Sequence, residues 1–150
     1  MTKNLTKSKI LVVEDDDDLR QGLARRLTAS GYDVVLAADG LAAVGAARTD
    51  RPDLVLLDIG LPGGSGLTVL RRYSDSAALM FTPVVVLTGR DPLVIESDVR
   101  KYGVAGFLTK PADNNELLGV IARALRGEPD PAASKFASAS SSGAKQRSAC

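Results

Sequence analysis

Apolar residues gather in five short runs, at residues 10–13, 34–37, 54–57, 84–87 and 106–108, with longer stretches of mixed polarity between them. Within each run the apolar character is nearly continuous. That pattern predicts strands covered on both faces, as in a parallel sheet, because a strand with one wet face would alternate. The intervening stretches carry helical spacing. Leu19, Leu23 and Leu27 share one helix face, and Leu41 with Val44 mark a second helix. Leu67 and Leu70 mark a third, Ile95, Val99 and Tyr102 a fourth, and Leu117, Ile121 and Leu125 a fifth.

The punctuation supports the same division. Asp91 followed by Pro92 fits an N-cap with proline at the first helical position, and Gly103 falls where that fourth helix should stop. Asp113, with Glu116 three residues later, has the form of a capping box, and Gly127 with Pro129 closes the fifth helix. The predicted architecture is α/β: a doubly wound (βα)5 fold around a five-stranded parallel sheet, with right-handed crossovers and helices on both faces.

Composition adds boundaries. The 150 residues, 45% hydrophobic and 25% charged, suit one globular domain. The expected division is an N-terminal extension at 1–8, a domain at 9–128, and a disordered Ala/Ser-rich tail or truncated linker at 129–150.

Charge and cysteine usage exclude several function classes. Nineteen Lys and Arg against eighteen Asp and Glu leave a net charge of +1, so no global field draws the chain to nucleic acid or an anionic membrane. The chain has no histidine and its one cysteine is Cys150 at the end. His/Cys metal clusters, an internal disulfide and a Ser-His-Asp triad are therefore out of reach. The apolar run after the basic start is too short for a signal peptide, and no run reaches membrane-spanning length. The expected location is the cytoplasm.

In an open parallel sheet, functional groups collect where the strands end and the chain turns away. The first run ends in Glu14 and Asp15, the third in Asp58, the fourth in Thr88, and the fifth leads to Lys110 and Pro111. Three carboxylates brought together repel strongly, by about 4 kcal/mol per pair at 4 Å and an effective dielectric of 20. Lys110 offsets part of this, and a hard divalent ion such as magnesium, with its preference for oxygen ligands, can offset more. A carboxylate beside such an ion and an ammonium is placed to attack phosphorus, and Thr88 can donate to a phosphoryl oxygen.

Four segments carry a resemblance. Residues 10–16 (ILVVEDD), 54–62 (LVLLDIGLP) with Gly66, 84–89 (VVVLTG) and 106–111 (GFLTKP) are similar to the signature segments of response-regulator receiver domains of two-component systems. They stand in that family's order and spacing over residues 8–127. The resemblance implies the strand order 2-1-3-4-5. It also implies Asp58 as phosphoacceptor, with magnesium (or manganese) held by Asp15, Asp58 and the Gly60 carbonyl, and by Glu14 through water. Thr88 would be the switch hydroxyl, Lys110 the family's active-site lysine, and Phe107 an aromatic that moves between outward and inward positions. A cis Lys110-Pro111 bond would aim the lysine inward. Three positions depart from the commonest pattern: Leu61 stands where many members have methionine, Phe107 lacks the tyrosine hydroxyl, and Arg90 puts a large cation beside the site.

The implied partners are a histidine kinase or histidine phosphotransfer protein and a downstream protein target, with no nucleic acid and no membrane. A phosphorylation-dependent dimer is compatible with the same reading. The output surface would be the fourth helix, fifth strand and fifth helix. The chain would be a signalling phosphoacceptor rather than an enzyme, able at most to catalyse its own phosphorylation and dephosphorylation.

Plainer readings compete at single residues. Asp17 and Asp18 fit electrostatic caps of the first helix better than ligands, and Asp16 is undecided. Thr88 alone would serve equally as a strand-end cap, Lys110 alone as a solvated loop lysine, and Phe107 alone as core. A haloacid-dehalogenase-type phosphatase needs a second acid at the position of Gly60, and a flavodoxin needs a phosphate loop where the acids run. The remaining alternative is a pseudo-receiver that binds proteins without being phosphorylated. A stand-alone receiver is expected over the front end of a longer regulator.

Overall fold

The computed structural model describes residues 7–58, 70–73, 75–76, 80–89 and 103–128. In chain order these form β1 (Lys9–Val13), α1 (Asp17–Ala29), β2 (Asp33–Ala37), α2 (Gly40–Asp50), β3 (Leu54–Asp58), β4 (Val84–Thr88), β5 (Gly106–Thr109) and α3 (Asn114–Leu125). Helix α3 is the fifth of the predicted helices. Of the third, only residues 70–73 and 75 are described as helical, and the fourth lies outside the described residues, as do Leu61, Gly66, Arg90, Asp91, Pro92 and the 129–150 segment.

The strands form one parallel sheet in the order β2-β1-β3-β4-β5, as the resemblance implied. Side chains along each strand alternate between two cores. Leu11, Val13, Val55, Leu57, Val84, Val86 and Phe107 face one side, where Ala43 and Ala47 of α2 and the Leu70 and Tyr73 side chains cover them. Ile10, Val12, Leu54, Leu56, Val85, Leu87 and Leu108 face the other, under Leu23 and Leu27 of α1 and Leu117, Val120, Ile121 and Ala124 of α3. Both faces are buried over β1, β3, β4 and β5, which is why these strands read as unbroken apolar runs, while β2 at the sheet edge is only partly covered.

One predicted helix face needs correction. Leu41 is 86% exposed, and α2 meets the sheet through Ala43 and Ala47, with Val44 partly buried against the same core. The spacing pointed to Leu41 as the bulkier residue, whereas two alanines four apart let the helix backbone lie close over β1 and β2.

The caps follow local chemistry. The carboxylates of Asp16, Asp39 and Asp113 accept backbone N–H groups at the starts of α1, α2 and α3, from Leu19, Ala42, and Asn115 with Glu116. Gly127 takes positive φ just past α3, as residues ending helices do, and Gly103 also takes positive φ. Each strand runs one polar residue beyond the predicted apolar run, Lys9 and Asp33 at the starts of β1 and β2 and Asp58, Thr88 and Thr109 at the ends of β3, β4 and β5, because ladder pairing tolerates a polar residue at a strand terminus.

Candidate functional site

The sheet register brings the polar strand ends together. Val13 pairs with Leu57 across β1 and β3, so Glu14 and Asp58, each one residue further along, fall side by side at the carboxyl edge. Leu87 pairs with Asp58 and Thr88 with Thr109, which places the end of β4 next to Asp58 and leads from β5 into Lys110. The Lys110 N–H donates to the Thr88 carbonyl at 2.7 Å, holding the loop against β4. The Lys110-Pro111 bond is cis.

Glu14, Asp58 and Thr88 are buried at 1%, 3% and 0% exposure, while Asp15 is exposed. Carboxylate oxygens of Glu14, Asp15 and Asp58 lie within 4.8 Å of one another. The Lys110 ammonium enters this group, 2.8 Å from Asp58 Oδ2 and 3.1 Å from Glu14 Oε1. Lys110 is therefore half-buried in an ion pair, not a solvated loop residue.

Among the described residues three carboxylates face one ammonium, and the imbalance is felt at Glu14. Burial pushes its carboxyl up to about 7, against the opposing pull of the Asp16 N–H and Lys110, with Asp58 adding repulsion. At Lys110 burial favours the neutral amine, yet the Asp58 and Glu14 carboxylates outweigh it and hold the ammonium above the ordinary lysine value. Glu14 Oε1 is buried and, although near the ammonium, has no aligned hydrogen bond.

This donor set fits a hard divalent cation. Oxygen ligands from several carboxylates, a buried oxygen short of a donor and an excess of negative charge are what such an ion resolves. Gly60, expected to lend a carbonyl, lies outside the described residues.

A family model described as the response regulator receiver domain matches residues 10–122. The chain belongs to that family. Among relatives, it is 38% identical over 122 residues to the uncharacterized transcriptional regulatory protein YkoG of Bacillus subtilis, covering 81% of this chain and 53% of that one. It is also 38% identical over 130 residues to the response regulator MprA of Mycobacterium leprae, covering 86% of this chain and 56% of that one. The chain thus spans about half the length of these relatives. Among solved structures, the chemotaxis protein CheY4 of Vibrio cholerae superposes with a TM-score of 0.74 at 29% identity, covering 79% of this chain and 98% of that one. Receiver domains are the signalling, phosphoaccepting modules of two-component systems and bind magnesium at an acidic pocket.

The remaining candidates sort by position. Phe107 is buried at 7% exposure, facing the same core as Tyr73 and Val86, so it stands inward in this receiver domain. Asp16 is settled as the N-cap of α1, and Asp17 and Asp18 lie in that helix's first turn. Sequence reasoning passes over Arg20. Its Nη1 donates to the Glu14 carbonyl at 2.9 Å and its Nη2 pairs with Asp17 Oδ1. The available signal was an arginine three residues after an acid at a helix start, a spacing that puts both on one face. Among the described residues no helix is long and apolar enough to cross a membrane.

Proposed function

We propose that residues 9–128 form a receiver that takes a phosphoryl group on Asp58 from a histidine kinase or histidine phosphotransfer protein, with 129–150 as tail or linker. The observation that carries this reading is the buried Asp58 carboxylate paired at 2.8 Å with Lys110 beside Glu14 and Asp15. Magnesium (or manganese) would be held by Asp15, Asp58 and the Gly60 carbonyl, and by Glu14 through water, and when bound supplies positive charge against the transferring phosphoryl oxygens.

The chain's own residues do the rest. An Asp58 oxygen forms the new P–O bond while the P–N bond to the donor imidazole breaks, its electron pair leaving with the ring nitrogen, which takes up a proton. Lys110 neutralises charge on the phosphoryl group and holds Asp58 in line for attack, a task of positioning and electrostatics. Thr88 donates its hydroxyl to a phosphoryl oxygen. Its movement toward the group and the packing of Phe107 then bias a two-state equilibrium that alters the surface of the fourth predicted helix, β5 and α3 for a downstream protein. Shifting populations from 1:99 to 99:1 takes roughly 5.5 kcal/mol, within reach of a few charge-assisted hydrogen bonds at about 1.5–3 kcal/mol each.

Beryllofluoride with magnesium, a mimic of the phosphorylated carboxylate, tests this directly. Amide NMR signals around Thr88, Phe107 and α3 should shift on addition and stay in place in Asp58→Asn. An unchanged wild-type spectrum would instead mark the chain as a pseudo-receiver.

A further inference from the structure

We infer that Arg20 is a positioning residue for the cation site, acting through the backbone that carries Glu14 and Asp15. The inference rests on the reading that these acids hold a divalent ion. Asp15 is exposed, so its place depends on the backbone before it. That backbone is held from two sides. The Glu14 N–H donates to the Ala37 carbonyl of β2 at 3.1 Å, and the Glu14 carbonyl accepts from Arg20 Nη1 at 2.9 Å.

Arg20 is itself fixed. Its side chain is only 14% exposed, its Nη2 pairs with Asp17 Oδ1, and its own N–H donates to the Asp16 carbonyl at 2.9 Å. Asp16 in turn gives its N–H to Glu14 Oε2 at 3.1 Å and accepts from the Leu19 N–H at 2.9 Å. The planar fork of a guanidinium can serve a carbonyl and a carboxylate at once, which a point-charge ammonium cannot. The first turn of α1 and the strand end are thereby joined into one unit. Partners of this kind, one step behind the ligands, typically cost 10–100-fold in metal affinity when removed.

Charge and positioning predict opposite signs, which makes the test sharp. Arg20 is a cation near a cation site, so on charge alone its removal tightens Mg2+ binding. If it holds the loop, its removal weakens binding. Isothermal titration calorimetry with MgCl2 on the full chain and on Arg20→Met, which keeps the alkyl stem, should show a Kd raised about 10-fold. Thermal unfolding of the metal-free proteins is measured beside it, because a purely structural role lowers the melting temperature and leaves the Kd alone.

Arg20→Lys keeps the charge and gives up the fork, so its Kd should fall between the two; it also serves if the methionine variant does not fold. Binding as tight as wild type in a folded Arg20→Met, or in Arg20→Lys, overturns the inference and leaves the proposed function standing. A wild-type chain that takes up no Mg2+ overturns both.

Discussion

The Lys110 ammonium sits 2.8 Å from Asp58 Oδ2, joining two residues 52 apart in the chain across the ends of β3 and β5. It also lies 3.1 Å from Glu14 Oε1, so the one ammonium is shared by two buried acids. Lys110→Ala should remove that shared charge and leave the repulsion between the two acids less balanced. The expected loss in metal-free protein is about 3 kcal/mol, the lower end for breaking a buried pair because the lysine side chain is a quarter exposed. Urea unfolding in EDTA measures it, and saturating Mg2+ should recover part of the loss. A midpoint equal to wild type would show that the ammonium does not stabilise the site.

Asp15 presents the opposite case. It is exposed, its carboxylate lies within 4.8 Å of those of Glu14 and Asp58, and the ammonium pairs with the other two acids. Asp15→Asn removes repulsion without breaking those pairs. The metal-free protein should gain on the order of 1 kcal/mol, a Coulomb energy for charges about 5 Å apart near water. Stabilisation by Mg2+ should shrink at the same time, since a proposed ligand is lost. Differential scanning calorimetry with and without Mg2+ reads both changes. Equal Mg2+ stabilisation in variant and wild type would remove Asp15 from the site.

The Glu14 carboxyl gives the metal-free protein a pH dependence with a definite sign. Burial raises it from 4.5 to about 7 in the fold. Between those values the folded chain retains a proton that the unfolded chain has released, so stability is highest below about 4.5 for this group and is lost as pH rises through 7. The expected fall between pH 5.5 and 7.5 is of order 1 kcal/mol. Glu14→Gln should flatten that slope, which urea midpoints across the range will show. A slope identical in wild type and Glu14→Gln would place the dependence elsewhere.

Much of the fold and the site was legible because it is written in local chemistry. Unbroken apolar runs follow from two covered sheet faces, and acids after such runs mark the carboxyl edge where the parallel register assembles them. Leu41 misled because helical spacing favours large residues, whereas close packing of α2 over the sheet selected Ala43 and Ala47. Asp16 could not be assigned from sequence, since a cap and a ligand look alike until a Leu19 N–H is found at 2.9 Å. The spacing of Asp17 and Arg20 signalled their pairing, but the bond from Arg20 to Glu14 was out of reach for a different reason. Its acceptor is a backbone carbonyl, a group every residue carries and no composition reveals.

The junction between α2 and β3 carries a conformational cost that one substitution should relieve. Arg51 closes α2 in the left-handed region, with φ 48 and ψ 65, while its N–H donates to the Ala47 carbonyl at 3.2 Å. Glycine is the usual residue at such a position, because a Cβ there crowds the following carbonyl at about 1–2 kcal/mol. Arg51 is exposed, so its side chain gives little in return. Arg51→Gly should relieve the crowding, offset by roughly 0.5–1 kcal/mol of extra backbone freedom in the unfolded chain. The net gain is up to about 1.5 kcal/mol. Arg51→Val, whose branched Cβ crowds the same carbonyl more, should lose stability instead. Urea unfolding with an unchanged slope is the measurement, since only the midpoint should move. If the valine variant is as stable as the glycine one, the left-handed conformation at this cap is not what limits the junction.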